Sequence, residues 1–282
     1  LLMVRSFRNR SLSVSGCIAA GLVGLGTFSN DLVVFTVTLL VFFLASSKLT
    51  RFQSERKRAI EAHHVEGGQR DMWQVFSNGW TGTLLAVLST YFFAGRATVP
   101  FYGDTSAPGE GALRRALLLA YVAHYACCNG DTWASELGTL HRAWPRLITT
   151  GRPVPSGTNG GVSSTGLLAS LAGGTVIGLA ANLALYLQAL YRFTTTSELA
   201  MTYPSGTVGA FGVVLLAGVV GGLVGSLVDS LLGAVLQCSY VTSGGRVANR
   251  KTSSSDKWIA GHDILNNNQV NFISSLTMAL AI

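Results

Sequence analysis

Two aspartates stand in apolar surroundings, Asp131 in the segment Asn129-Gly130-Asp131-Thr132-Trp133 and Asp229 in Val228-Asp229-Ser230-Leu231-Leu232. A carboxylate at membrane depth costs roughly 2.5–3.5 kcal/mol on insertion scales. Two of them, each followed at once by a hydroxyl residue, point to use rather than accident. Clustered carboxylates at a membrane surface suit Mg2+ bridging to phosphate oxygens. Glu136 follows Asp131 by five residues, which on a continuing helix turns it about 140° away. Asp131, Glu136 and Asp229 are the candidate metal ligands. The competing reading is a set of helix-end polar residues reaching for the interface.

Other polar groups collect in the same parts of the chain. Thr158-Asn159-Gly160-Gly161 precede Val162-Ser163 at the opening of an apolar stretch. Free N–H groups at a helix start bind anions, and paired glycines let a phosphate approach the backbone. An ordinary N-cap with a Gly-rich turn explains the same residues. Lys48, Arg51, Arg56, Lys57 and Arg58 precede Glu66-Gly67-Gly68-Gln69-Arg70. Such cations bind triphosphates or anionic headgroups, or simply enforce topology. The amides Asn266, Asn267, Asn268, Gln269 and Asn271 can cap a helix or read a base edge. No GxxxxGK[ST] phosphate loop occurs. His63, His64 and His124 form no metal-binding spacing, and no nucleophile motif supports Ser-His-Asp hydrolysis.

These residues must be positioned by membrane helices. The 282-residue chain is 49% hydrophobic and only 12% charged, with mean hydropathy +0.41. Soluble domains carry about 25% charged residues. The 33 glycines read as close helix packing in lipid. Cys17, Cys127, Cys128 and Cys238 show no zinc or CxxC spacing and read as reduced packing residues. Net charge +7 lies in short loops, which sets orientation and argues against nucleic acid as a partner.

Seven spans are expected, near Leu12–Phe28, Leu32–Ser47, Val75–Ala94, Leu113–Gly130, Val162–Tyr191, Val208–Gln237 and Val270–Ile282. The fold class is therefore all-α, a polytopic membrane helix bundle in one domain over residues 1–282. Sixteen of the 20 Lys and Arg residues fall on one side, which places the N-terminus inside. The same side holds Asp131, Asp229 and the loops 48–74, 139–161 and 238–269, which are expected to form the site. Taken alone, the residues fit phosphoryl or nucleotidyl chemistry on a lipid. They also fit an anion transporter, although transporter sites usually lie nearer the midplane.

Five segments resemble a known family. "EGGQRDMWQVFSNG" (Glu66–Gly79), "CCNGDTWASELG" (Cys127–Gly138), "PRLITTGRPVPSGTNGGVSSTGLLASLAGGT" (Pro145–Thr175), "DSLLGAVLQ" (Asp229–Gln237) and "IAGHDILNNNQVNFISS" (Ile259–Ser275) look like the eukaryotic transmembrane protein nineteen family. That family sits in a wider group, long labelled a domain of unknown function, which includes the plant and cyanobacterial phytyl-phosphate kinase of vitamin E synthesis. The resemblance implies a CTP-dependent, Mg2+-assisted kinase extending an isoprenyl monophosphate to a diphosphate. The alternatives are a cytidylyltransferase making a CDP-lipid and a non-enzymatic isoprenoid-phosphate transporter or scramblase.

The resemblance carries Lys48, Glu66, Arg70, Asn78, Asp131, Glu136, Asn159, Asp229, Asn267 and Asn271 as matching positions. On it, Asp131, Asp229, Arg70 and Lys48 are catalytic. Glu66, Gly67, Gly68, Asn78, Thr158, Asn159, Gly160, Gly161, Asn267 and Asn271 hold the nucleotide. The isoprenoid chain is assigned to an apolar groove beside Gly173, Gly174, Gly178, Gly218, Gly222 and Gly225. The family has Asp before the matching Asn in an "LDN" pattern, whereas this chain has Leu265-Asn266-Asn267. If that Asp binds metal, its loss bears on activity. Location in the endoplasmic reticulum or plastid envelope, with the N-terminus on the cytosolic or stromal side, follows the same resemblance. A homodimer is compatible with it.

Overall fold

The computed structural model describes residues 2–52, 60, 69–96, 98–102, 108–139, 143–195 and 207–282. Glu66, Gly67 and Gly68, with most of loop 48–74, lie outside the described residues.

Apolar runs bounded by capping residues make the helices. A short α1 (Leu2–Arg8) precedes α2 (Val14–Phe28), α3 (Val33–Phe52) and α4 (Met72–Phe93). Then come α5 (Pro108–Gly138), α6 (Ser164–Thr195), α7 (Thr207–Leu236) and α8 (Asn267–Ala281). Ser13 caps α2 by accepting the Gly16 N–H at 3.0 Å, and Asp71 caps α4 by accepting the Gln74 N–H at 2.9 Å. Each such cap satisfies a backbone donor that the helix cannot. Every expected span coincides with one of these helices. Three are long and apolar enough to cross a bilayer by themselves, Val33–Arg51, Ser164–Thr195 and Gly209–Leu236. Val14–Phe28 is a shorter apolar helix.

Two boundaries differ from the sequence reading. The fourth span was expected to end at Gly130, just before Asp131, yet α5 runs on to Gly138. Hydropathy falls there, but no Pro or Gly intervenes until Gly138. The hydroxyls of Thr132 and Ser135 bond back to the carbonyls of Cys128 and Thr132 at 2.8 and 3.0 Å, so the polar side chains ride on the helix. The fifth span was expected to open at Val162, with Thr158–Gly161 as its anion-binding start, yet α6 begins at Ser164. Ser163 Oγ accepts the Gly166 N–H at 3.1 Å and so takes the capping role.

Helix α5 runs through the centre of the bundle, with Tyr121 and Tyr125 fully buried. It packs on α6 and α7, and glycine decides how closely. A Cβ on Gly130 would lie 2.7 Å from the Gly222 carbonyl oxygen, and one on Gly218 would lie 2.6 Å from the Gly178 Cα. Small residues four apart on facing helices bring backbones into contact in this way. Gly173, Gly174, Gly178, Gly218, Gly222 and Gly225 thus face other helices.

The loops 139–161 and 238–269 carry short strands that the all-α reading did not include. Strands β1 (Arg146–Leu147) and β2 (Gly161–Val162) pair antiparallel. Strands β3 (Ser239–Val241), β4 (Val247–Ala248) and β5 (Lys257–Ala260) form an antiparallel sheet in the order β4-β3-β5. Leu147, Val154, Val247, Ile259 and Ala260 close a small core over Ala234 at the end of α7.

Candidate functional site

The bundle brings Asp131 and Asp229 together. Helices α5 and α7 run parallel in a fixed register. A Cβ on Gly221 would meet Ala123, and one on Gly225 would lie 2.5 Å from Cys127 Sγ. Four residues further on, Asp131 acts electrostatically on Asp229. Steps of four on both helices keep all three pairs on facing stripes. Cys127 lies within electrostatic reach of both carboxylates.

Helix α8 closes the third side. Ser274, almost fully buried, donates from Oγ to Asp229 Oδ2 at 2.9 Å. The Asn271 amide, turned so that its nitrogen faces the acceptors, donates to the same oxygen at 3.2 Å and to the Asn267 carbonyl at 3.1 Å. Neither serine of Ser274-Ser275 was singled out from sequence. Its signal was the spacing, since Ser274 lies one turn after Asn271 on the same face.

Glu136 goes elsewhere. Among the described residues no three His, Cys, Asp or Glu side chains converge as a metal-binding group. The expected trio is divided, Asp131 with Asp229 and Glu136 with Arg70. The continuous helix is the reason, because it turns the buried Glu136 away from Asp131. Glu136 acts electrostatically on Arg70.

Arg70 is itself an anchored residue. Its backbone pairs with the start of α2, with Ser13 N–H donating to its carbonyl at 3.0 Å and its own N–H donating to Ser11 at 3.1 Å. Its Nη1 donates to Ser47 Oγ on α3 at 3.1 Å. Burial lowers its guanidinium from the usual 12.5 to about 10, and the Glu136 carboxylate opposes that shift. Arg70 therefore ties the start of α2 through its backbone, and the end of α3 through its side chain, to the start of α4. Lys48, the residue after Ser47, is exposed.

Asn129, the residue before Gly130, was also missed as a junction. Its amide donates to the Gly173 carbonyl at 2.9 Å and accepts from Ser46 Oγ at 3.0 Å, which joins α3, α5 and α6. Asn78 is half-buried on α4, and its carbonyl lies 2.9 Å from His124 Nε2.

The segment Thr158–Gly161 is not a helix start. The Asn159 N–H donates to Ser239 Oγ at 3.0 Å, and its side chain donates to the Cys238 carbonyl at 3.1 Å and to Asn249 Oδ1 at 3.2 Å. The Thr158 and Gly161 N–H groups donate to the Pro155 and Thr158 carbonyls. Gly160 has φ +75°, and a Cβ there would lie 2.6 Å from the Ser230 carbonyl oxygen. The paired glycines let this turn seat on α7 one residue after Asp229, and its N–H groups at 158, 159 and 161 are committed to protein.

Asn266 is the N-cap of α8. Its Oδ1 accepts the Gln269 N–H at 3.0 Å, while Gln269 Oε1 accepts the Asn266 N–H at 2.9 Å. Asn and Asp cap equally well, so this position has a structural task that Asn fulfils. Asn267 opens the helix and is exposed.

The family described as integral membrane protein DUF92 matches residues 1–279. Protein PGR of Arabidopsis thaliana is 40% identical over 277 residues, 98% of this chain and 89% of that protein. An uncharacterised membrane protein of Methanocaldococcus jannaschii is 28% identical over 178 residues, 63% of this chain and 64% of its own. The chloroplastic protein VTE6 of Arabidopsis thaliana is 27% identical over 160 residues, 57% of this chain and 44% of that one. No solved structure matches.

Proposed function

The chain belongs to the integral membrane protein family DUF92, and from that premise we propose that it is a CTP-dependent kinase converting an isoprenyl monophosphate to the diphosphate. The observation that carries the reading is the Asp131–Asp229 pair between α5 and α7, braced from α8 by Ser274 and Asn271. Two facing carboxylates can hold a divalent cation between them. Both donors to Asp229 use one oxygen, and an oxygen-rich site of this kind fits Mg2+ with waters completing its shell. Asp131 and Asp229 would hold the Mg2+, which would supply positive charge to the nucleotide phosphates.

The residues of the chain do the rest. A phosphate monoester is already an anion at neutral pH, so no strong general base is required. One of its oxygens attacks the γ-phosphorus, the bond from that phosphorus to the β–γ bridging oxygen breaks, and CDP leaves. The barrier is repulsion between polyanions. Exposed Lys48 supplies positive charge to them, while Arg70, bonded to Ser47 and within the field of Glu136, acts by holding the helix ends in place.

The test is CTP labelled separately in the γ-phosphate and in the cytidine, given to purified protein with Mg2+ and phytyl phosphate. Transfer of the γ-label to lipid is expected. Cytidine appearing in lipid would make the chain a cytidylyltransferase. No consumption of CTP by folded protein would leave transport or scrambling of isoprenoid phosphates.

A further inference from the structure

Two side-chain donors reach Asp229, Ser274 Oγ at 2.9 Å and the Asn271 amide at 3.2 Å, and both land on Oδ2. Among the described residues, no hydrogen bond is made to Oδ1. Ser274 Oγ also lies 3.1 Å from the Asn271 carbonyl. A hydroxyl has one proton to give, and the contact with Asp229 is the shorter of the two. Ser274 is 1% exposed, so water has no access to replace it.

The backbone beneath this contact is held firmly. One turn deeper, Gly225 leaves no space for a Cβ between Cys127 Sγ and Met278 Cγ, at 2.5 and 3.0 Å. Gly225 and Asp229 are one turn apart on α7, and Met278 and Ser274 are one turn apart on α8. The two contacts are successive rungs of one antiparallel α7–α8 packing. The Ser274 hydroxyl is therefore fixed in space by the bundle, and the Asp229 side chain is oriented against it.

We propose that Ser274, assisted by Asn271, is the positioning residue for Asp229, holding Oδ2 so that Oδ1 is the oxygen turned to a divalent cation shared with Asp131. This rests on the reading of Asp131 and Asp229 as the cation site. It moves Asn271 from nucleotide contact to support of a ligand, and it gives buried Ser274 a task. Partners of this outer kind fix the orientation of the ligating group, and losing one costs roughly 10- to 100-fold in metal affinity.

The experiment is Mn2+ binding to the purified full chain, followed by electron paramagnetic resonance, alongside thermal unfolding without metal. Wild type is expected to bind Mn2+, and Mg2+ is expected to displace it. Ser274→Ala is expected to weaken binding by roughly 10- to 100-fold with little change in unfolding of the metal-free protein. Asn271→Ala is expected to weaken it less. Ser275→Ala, whose hydroxyl bonds to the Phe272 carbonyl, is expected to bind as wild type. A Ser274→Ala protein that melts earlier yet binds Mn2+ as wild type overturns the proposal, since that is the mark of a structural role alone. Should Ser274→Ala not fold, Asn271→Ala decides, and unchanged binding by it overturns the proposal. A folded wild type that binds no Mn2+ overturns the cation reading itself, which separates that failure from this one.

Discussion

Arg70 and Glu136 are expected to behave as a coupled buried pair. Arg70 is 9% exposed and Glu136 2%. Removing one member of a buried pair in direct contact typically costs ~3–5 kcal/mol, and for this pair, coupled through its field without a direct ion pair between the two, that is the upper bound. Arg70→Met is expected to approach that bound, with the Ser47 hydrogen bond lost as well. Glu136→Gln keeps shape and hydrogen-bonding capacity, so it is expected to cost less. The double variant is expected to cost less than the sum of the singles by more than ~0.5 kcal/mol. The assay is denaturant unfolding of the full chain in detergent, followed by tryptophan fluorescence. The pH dependence has a definite sign. The folded-state value of about 10 lies below the usual 12.5, so the unfolded chain holds the proton more tightly. The contribution of Arg70 to stability is flat at neutrality and rises with pH between those two values. Costs that add within ~0.5 kcal/mol would refute the pairing.

Three further outcomes are expected. Asp131→Asn abolishes phosphoryl transfer while the protein still folds in the membrane, and wild-type turnover by that variant removes Asp131 from the mechanism. Gly222→Ala drives a Cβ to within 2.8 Å of the Ser170 carbonyl oxygen and the Gly174 nitrogen and costs ~1–3 kcal/mol by overpacking. Gly212→Ala, with nothing within 4 Å, is the unfolding control. Asn266→Asp leaves stability unchanged and Asn266→Ala loses ~1 kcal/mol of capping; a large gain in CTP turnover on Asn266→Asp would show that the position serves more than the cap.

Much of the bundle was legible because membrane spans are a statement about hydropathy, which is local. Val33–Ala45 and Val213–Val228 announce themselves by composition. The end of α5 was not legible, because Asp131, Thr132, Ser135 and Glu136 lower hydropathy without breaking a helix. Their hydroxyls bond back to the preceding turn, and Glu136 is buried near Arg70, which precedes it by 66 positions in sequence. Thr158–Gly161 was misplaced because Thr and Asn before paired glycines look like a helix start. Ser163 competes for the same task, and only the contacts of Asn159 with Ser239 and Cys238 decide between them. The small sheets escaped notice because strands of two to four residues leave no periodicity to read.

The sequence by itself determined that this is a multi-pass membrane protein of a recognisable family. It also showed that two carboxylates lie at similar depth near one end of two helices. Depth follows from counting residues along a helix, so it needs no partner. Which way each carboxylate faces depends on helix rotation and register, and tertiary packing alone sets those. The glycine contacts of α5 with α7 turn Asp131 toward Asp229, and the α7–α8 packing brings Ser274 to it. The same rotation carries Glu136 to Arg70, because one helix face cannot serve both.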